Sequence, residues 1–185
     1  MPVRDLCLTF VLLLGAAASA QTPAAVDFNS SRWEVFAGTA WAGPNPSNAR
    51  FGGDGGLNFR IVRPINVAGE VSVCTHTAGG NTATLVDYFV GPRFSTTWSA
   101  RSRVSLFADF LFGGQTMTNS NNNPEIYYMN NTSFALAGDV GFEVALTRHL
   151  AVLGQGGFVE SKFEQNSLLE GNYRLRAEAN VAYRF

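Results

Sequence analysis

The segment Asn172-Tyr173-Arg174-Leu175-Arg176-Ala177-Glu178-Ala179-Asn180-Val181-Ala182-Tyr183-Arg184-Phe185 alternates at every second residue. One set reads Tyr173, Leu175, Ala177, Ala179, Val181, Tyr183 and Phe185; the other reads Asn172, Arg174, Arg176, Glu178, Asn180, Ala182 and Arg184. All four charges fall in the second set. A helix, at 3.6 residues per turn, would mix the two sets on every face, whereas a strand separates them. This is a strand between an apolar medium and a polar one.

The same period recurs seven times upstream. A first strand over 32–42 sets Trp33, Val35, Ala37, Thr39 and Trp41 against Glu34. A second over 55–63 sets Leu57, Phe59 and Ile61 against Asn58, Arg60 and Val62, and a third over 66–76 sets Val67, Val71 and Val73 against Glu70, Ser72 and Cys74. A fourth over 83–94 opposes Val86, Tyr88, Val90 and Phe94 to Asp87, Phe89 and Arg93. A fifth over 103–113 opposes Leu106, Phe110 and Phe112 to Phe107, Asp109 and Leu111. A sixth over 133–146 opposes Phe134, Leu136, Val140 and Phe142 to Asp139 and Glu143. A seventh over 149–160 turns Leu150, Val152 and Phe158 outward and Gln155 inward, its register blurred by Gly154, Gly156 and Gly157.

Within the cores of these segments the apolar face carries no charge. Arg or Lys on the lipid face of a membrane barrel costs roughly 2–4 kcal/mol near the midplane, which gives that exclusion a cause. A soluble sandwich also alternates, but its core face needs bulky residues rather than repeated Gly and Ala. The connections 63–65, 95–102 and 147–148 are short; 43–54, 77–82, 114–132 and 161–171 are mostly longer, and the longest holds Asn119-Ser120-Asn121-Asn122-Asn123-Pro124. Short turns on one side and long loops on the other, with strands near the ~9–11 residues of a tilted span, describe an all-β, eight-stranded antiparallel up-and-down transmembrane β-barrel.

Composition agrees. Of 185 residues 46% are hydrophobic and 15% charged, with net charge −1, so there is no electrostatic footprint for nucleic acid. Arg4 followed by an apolar run to Ala18, then Ala18-Ser19-Ala20, reads as a signal peptide over 1–20 cleaved after Ala20, with Ala18 and Ala20 as the small residues of the cleavage site. A periplasmic segment over 21–31 would precede the barrel at 32–185. Only Cys74 would remain in the exported chain, which excludes a disulfide scaffold.

On these residues the chain resembles the bacterial outer-membrane β-barrel domain family, of the eight-stranded OmpA/OmpX-like type. The terminal segment carries most of that resemblance, and Tyr88-Phe89-Val90-Gly91-Pro92-Arg93-Phe94 is similar to the family's fourth strand. The resemblance implies a Gram-negative outer-membrane location with both termini of the barrel periplasmic. It also implies that Val181, Tyr183 and Phe185 form the signal read by the barrel-assembly machinery. Outer-membrane lipid is then an expected partner, and a cell-surface or extracellular ligand would meet the long loops of a monomer. No peptidoglycan-binding domain follows the barrel in this sequence.

The candidate site is the set of inward charges: Glu34, Glu70, Asp87, Asp109, Asp139, Glu143 and Glu178 with Arg60, Arg93, Arg174, Arg176 and Arg184. Eight strands enclose a lumen just wide enough for side chains. Charges there must pair. A packed ionic plug is therefore expected in preference to a narrow ion path. No catalysis, cofactor or metal is expected: Ser72 and His76 stand about 13 Å apart along one strand, and no Asp, His or Cys cluster has ligand spacing. Trp33, Trp41, Trp98, Tyr88, Tyr173 and Tyr183 fit interfacial girdles. The expected role is structural, for envelope integrity, or adhesion-like through the loops, with a low-conductance pore and an exported soluble binding barrel as alternatives.

Overall fold

The computed structural model describes residues 32–43, 49–78, 81–97, 103–121, 129–161 and 173–185. The expected cleavage site at Ala18 and Ala20, the 21–31 segment and Trp98 lie outside these residues. Eight strands follow in order: β1 (Trp33–Gly43), β2 (Arg50–Val62), β3 (Ile65–Ala78), β4 (Asn81–Thr97), β5 (Val104–Asn121), β6 (Met129–Ala145), β7 (Leu150–Ser161) and β8 (Tyr173–Arg184). Each pairs antiparallel with the next, and β1 pairs with β8, so the barrel is closed and leaves no edge along its main span.

The registers fix its geometry. From Ala37, successive partners lead through Gly55, Val71 and Tyr88 to Gly114. The other way round they lead through Val181, Val152 and Val144 to Val104, ten residues from Gly114 on the same strand. A shear of ten on eight strands tilts the strands by about 40° from the axis.

Strand parity divides the wall as the alternation requires. Phe110, Phe134, Val140, Val181 and Phe185 project outward, each more than half exposed, while Ala68, Leu111, Ala135, Ala151 and Ala182 are sealed inside. A surface of that kind suits acyl chains rather than water. Glu160 is the one charged residue on the outward parity of the described strands, and it sits at the long-loop end of β7, beside Leu136 and Tyr173. The seventh strand runs unbroken through its glycines, which pair with Phe142, Val140 and Asp139.

Three expected loops are partly strand. Arg50–Asp54 belongs to β2, Thr77 and Ala78 end β3 while Asn81 and Thr82 begin β4, and the 114–132 connection supplies the ends of β5 and β6. Glycines hide the alternation over Arg50–Asp54, and at the upper ends of β5 and β6 the outward parity carries Thr116, Thr118 and Thr132, so it is no longer set apart as the apolar one. As a result β4, β5 and β6 have 17, 18 and 17 residues, against 11, 12 and 12 in β1, β7 and β8. That excess over the ~9–11 residues of a span makes a wall standing above one side of the mouth. Its rungs include Thr77 with Thr82 at 3.1 Å and Thr116 with Thr132 at 3.0 Å between hydroxyl oxygens.

Aromatic rings lie directly over glycines on the neighbouring strand. Phe36 covers Gly56 and Phe107 covers Gly141 inside; Tyr88 covers Gly114, Phe142 covers Gly154 and Phe158 covers Gly138 outside. Each is a direct cross-strand pair, the arrangement by which a ring shields a glycine's bare backbone. At Gly141 an added Cβ would collide with the Phe107 ring and come 2.6 Å from the Gly154 carbonyl oxygen. Gly141→Ala should therefore lower the stability of the refolded barrel by about 1–3 kcal/mol. Gly154→Ala should cost less, because its clash is with the Phe142 ring, which can swing into lipid. Urea midpoints of the two variants in lipid vesicles check the order, and equal midpoints would refute it.

Candidate functional site in the barrel lumen

All twelve expected lumenal charges lie on the inward parity, and their partners form three levels along the axis. At the short-turn end, Arg184 donates through Nε to Glu34 at 3.0 Å and pairs through its other arm with Glu143. Asn58 donates to Glu34 at 2.7 Å, and Ser105 donates to Glu143 at 3.4 Å. Arg60 lines this same mouth.

The middle level is the most buried. Arg93 grips Asp109 with two hydrogen bonds, Nε at 2.7 Å and Nη2 at 2.5 Å. Arg176 makes the same forked contact with Asp139, by Nε at 2.7 Å and by Nη2, while its Nη1 reaches Glu70 and stands 3.6 Å from Glu178. Such parallel two-point contacts are the strongest geometry available to a guanidinium. Gln155 joins the two forks. Its carbonyl oxygen accepts from Arg93 at 3.1 Å, and its amide donates to Glu178 at 2.6 Å and Glu70 at 3.3 Å. Phe107 lies 4.0 Å beneath the Arg93 guanidinium, and Phe89 lies 5.3 Å from that of Arg176. Six strands, β3 to β8, are thereby tied across the lumen.

Towards the long-loop end, Arg174 donates to Asp87 at 2.8 Å, and Asp87 also accepts from Gln115 at 2.6 Å and Ser72 at 3.4 Å. Asn180 donates to Asp54 at 2.7 Å. Arg50 is buried here, within electrostatic range of Arg174, Asp87 and Cys74. Cys74 packs with Ala40, Ala42 and Leu85 as a small lumen filler.

The short-turn end of the barrel carries aromatic contacts. Tyr183 stacks on His149 at 5.8 Å and meets Phe185 edge-on at 5.1 Å; Trp33 packs on Phe59 at 4.5 Å. The histidines are far apart: the His76 ring bonds with the Ala49 carbonyl, the His149 ring with that of Arg184, at opposite ends. Among the described residues no group of three or more His, Cys, Asp and Glu is arranged to hold a metal ion.

A closed barrel of eight antiparallel strands is also the fold of solved structures. Neisserial surface protein A superposes with a TM-score of 0.65 at 16% identity, over 84% of this chain and 98% of that one. Outer membrane protein OprG of Pseudomonas aeruginosa gives 0.60 at 11%, covering 84% and 96%. Ail, the attachment invasion locus protein of Yersinia pestis, gives 0.58 at 13%, covering 84% and 99%. The chain has the fold of the eight-stranded outer-membrane barrels. No family model matches it, and neither does any curated protein sequence.

For a barrel of this type the lumen is the informative part, and several of its members escaped the sequence reading. Arg50 and Asp54 fell in a stretch read as loop, where Gly52, Gly53, Gly55 and Gly56 hide the alternation. Gln155 and Asn180 stand on the inward face of the alternation but, being uncharged, fall outside a search for charges, and Gln115 lies in the connection 114–132 read as loop. Parity counted outward from Phe51 and Leu57 places Arg50 and Asp54 inside, and that signal was available.

Arg176 is the piece on which the middle level turns. Arg176→Leu would leave Asp139, Glu70 and Glu178 facing one another without their shared cation. Removing one partner from a buried pair costs about 3–5 kcal/mol, and this variant should lose at least that. Arg184→Leu should lose less, since its carboxylate partners are partly solvated at the mouth. Equal loss in the two variants, measured by urea unfolding of the refolded proteins, would contradict the layered arrangement.

Proposed function

We propose that the chain resides in a Gram-negative outer membrane as a non-catalytic barrel whose long-loop side engages a cell-surface or extracellular ligand. The observation that carries this reading is the β4–β6 wall. Strands of 17 and 18 residues are far longer than a span requires. Its projecting part presents Thr82, Thr84, Thr116, Thr118 and Thr132 on the outward parity, where the same strands carry Val and Phe lower down. Chain that is polar on its outward face and held rigid by a barrel offers hydrogen-bonding groups at little ordering cost. Among proteins of this fold is Ail, the attachment invasion locus protein of Yersinia pestis, one structure of which is a complex with the heparin analogue sucrose octasulfate.

The ion-paired middle level weighs against steady conduction. An ion crossing it would have to displace the Arg93–Asp109 and Arg176–Asp139 forks, both almost wholly buried. In planar bilayers the purified chain should give no stable open level at high protein load; a reproducible one would favour the pore reading.

Replacing residues 117–131 with a two-residue turn tests the wall directly. The shortened barrel should keep its heat-modifiable migration on gels, while bacteria displaying it should lose adherence to extracellular matrix or host cells. Undiminished adherence would overturn the proposal.

The assembly machinery is the proposed partner during biogenesis. Val181, Tyr183 and Phe185 stand outward in one row near the short-turn end, the position from which a strand can be recognised before closure. Phe185→Ala should reduce the fraction inserted in cells more than it reduces spontaneous refolding in vesicles. Equal effects would show that the ring acts through packing on Tyr183 alone.

A further inference from the structure

Guanidinium groups are used differently at two depths of the lumen. Arg93 and Arg176, in the middle level, each commit Nε to a forked contact with an aspartate. Arg50 and Arg174, towards the long-loop end, do not: the Nε of each is buried and has no hydrogen-bond partner among the described residues. Arg174 reaches Asp87 through Nη2, and Arg50, only 8% exposed, lies within electrostatic range of both Arg174 and Asp87. Asp87 already accepts from Arg174, Gln115 and Ser72. A buried N–H without an acceptor bears the full cost of its desolvation, so two of them in one cluster mark a missing acceptor. Both arginines stand near the rim. Arg50 opens β2 and Arg174 is the second residue of β8, while β1 between them ends at Gly43. The inward neighbours of Arg50 are small: Ala42 is its partner in register, with Ala40, Gly52 and Cys74 next towards the middle.

We propose that Arg50 and Arg174 form an anion site at the long-loop mouth, where their Nε–H groups donate to an oxyanion carried by the surface ligand, a carboxylate or a sulfate ester. The planar fork of a guanidinium fits two oxygens of one such group, which a spherical halide cannot match. An anion shared by the two arginines also offsets the repulsion of like charges held within range of each other. The site lies across the mouth from the β4–β6 wall, so one ligand can meet the wall's hydroxyl groups and place its charged end here. The inference rests on the surface-ligand reading for the source of the anion, and deepens it by naming the ligand's chemistry.

Acetate and methyl sulfate are titrated separately into the full chain in maltoside micelles at constant ionic strength, with chloride as control. Saturable shifts of the Arg50 and Arg174 Nε–H resonances are expected, and the tighter binder tells carboxylate from sulfate ester. R50Q/R174Q should weaken binding by about tenfold or more, the worth of a hydrogen bond between charged groups. If that variant does not fold, R50K replaces it; the ammonium keeps the charge but lacks the fork, and binding should still weaken. No saturable shift with either oxyanion, equal shifts with chloride, or unchanged affinity in the variant would overturn the site. A second arm uses bacteria displaying the same variant with the wall intact, which should lose adherence as those with residues 117–131 replaced do. Full adherence by the arginine variant, with loss on wall replacement, would overturn the assignment of the anion to the ligand. Adherence untouched by either change would overturn the surface-ligand reading, while anion binding by the purified chain is judged separately.

Discussion

The structure depends on one constraint: charges turned away from lipid have nowhere to go but a lumen too narrow to hydrate them. Eight strands at a shear of ten leave space for side chains and little else. Each inward Arg, Asp and Glu must then find its counter-charge across the barrel rather than in solvent. Arg176 shows how tightly this binds the design. Its guanidinium is shared among Asp139 on β6, Glu70 on β3 and Glu178 on its own strand, so one residue closes the lumen and ties three strands together. A carboxylate group on the wrong parity would face acyl chains instead, which explains why Glu160 is found only at the rim of the apolar belt.

The glycine content follows from the same geometry. A barrel this small must fit Phe36, Phe89 and Phe107 beside the guanidinium groups, and bulky residues opposite them would overfill the lumen. Gly56 and Gly141 make that room, being the direct partners of Phe36 and Phe107. On the outer face the same pairing serves a second purpose, since the rings of Tyr88, Phe142 and Phe158 cover bare backbone on the adjacent strand. A composition rich in both Gly and Phe is thus one packing rule applied to two faces.

Much of this was legible without coordinates because the medium writes itself into strand parity. The terminal segment, the charge-free outer row and the twelve inward charges all follow from a period of two. Gln155 stood on the right side but without a partner, because cross-lumen contacts depend on shear, and shear depends on registers between strands that the sequence lists only in order. The ends of β5 and β6 were missed for a different reason. Parity is readable only where the two faces meet different solvents, and above the belt Thr116, Thr118 and Thr132 meet water on both sides.

That failure is informative about where function lies. The belt is constrained by lipid and the middle of the lumen by charge pairing, so neither region is free to vary with a ligand. The two mouths escape both demands. At one, strands continue past the belt as a polar wall whose residues answer to nothing in the barrel itself. At the other, Arg32, Arg60 and Arg63 line a cavity together with Arg184, Glu34 and Glu143. Where neither acyl chains nor the central ion pairs dictate the residue, the sequence is free to follow a ligand, and the polar wall on the long-loop side is such a place.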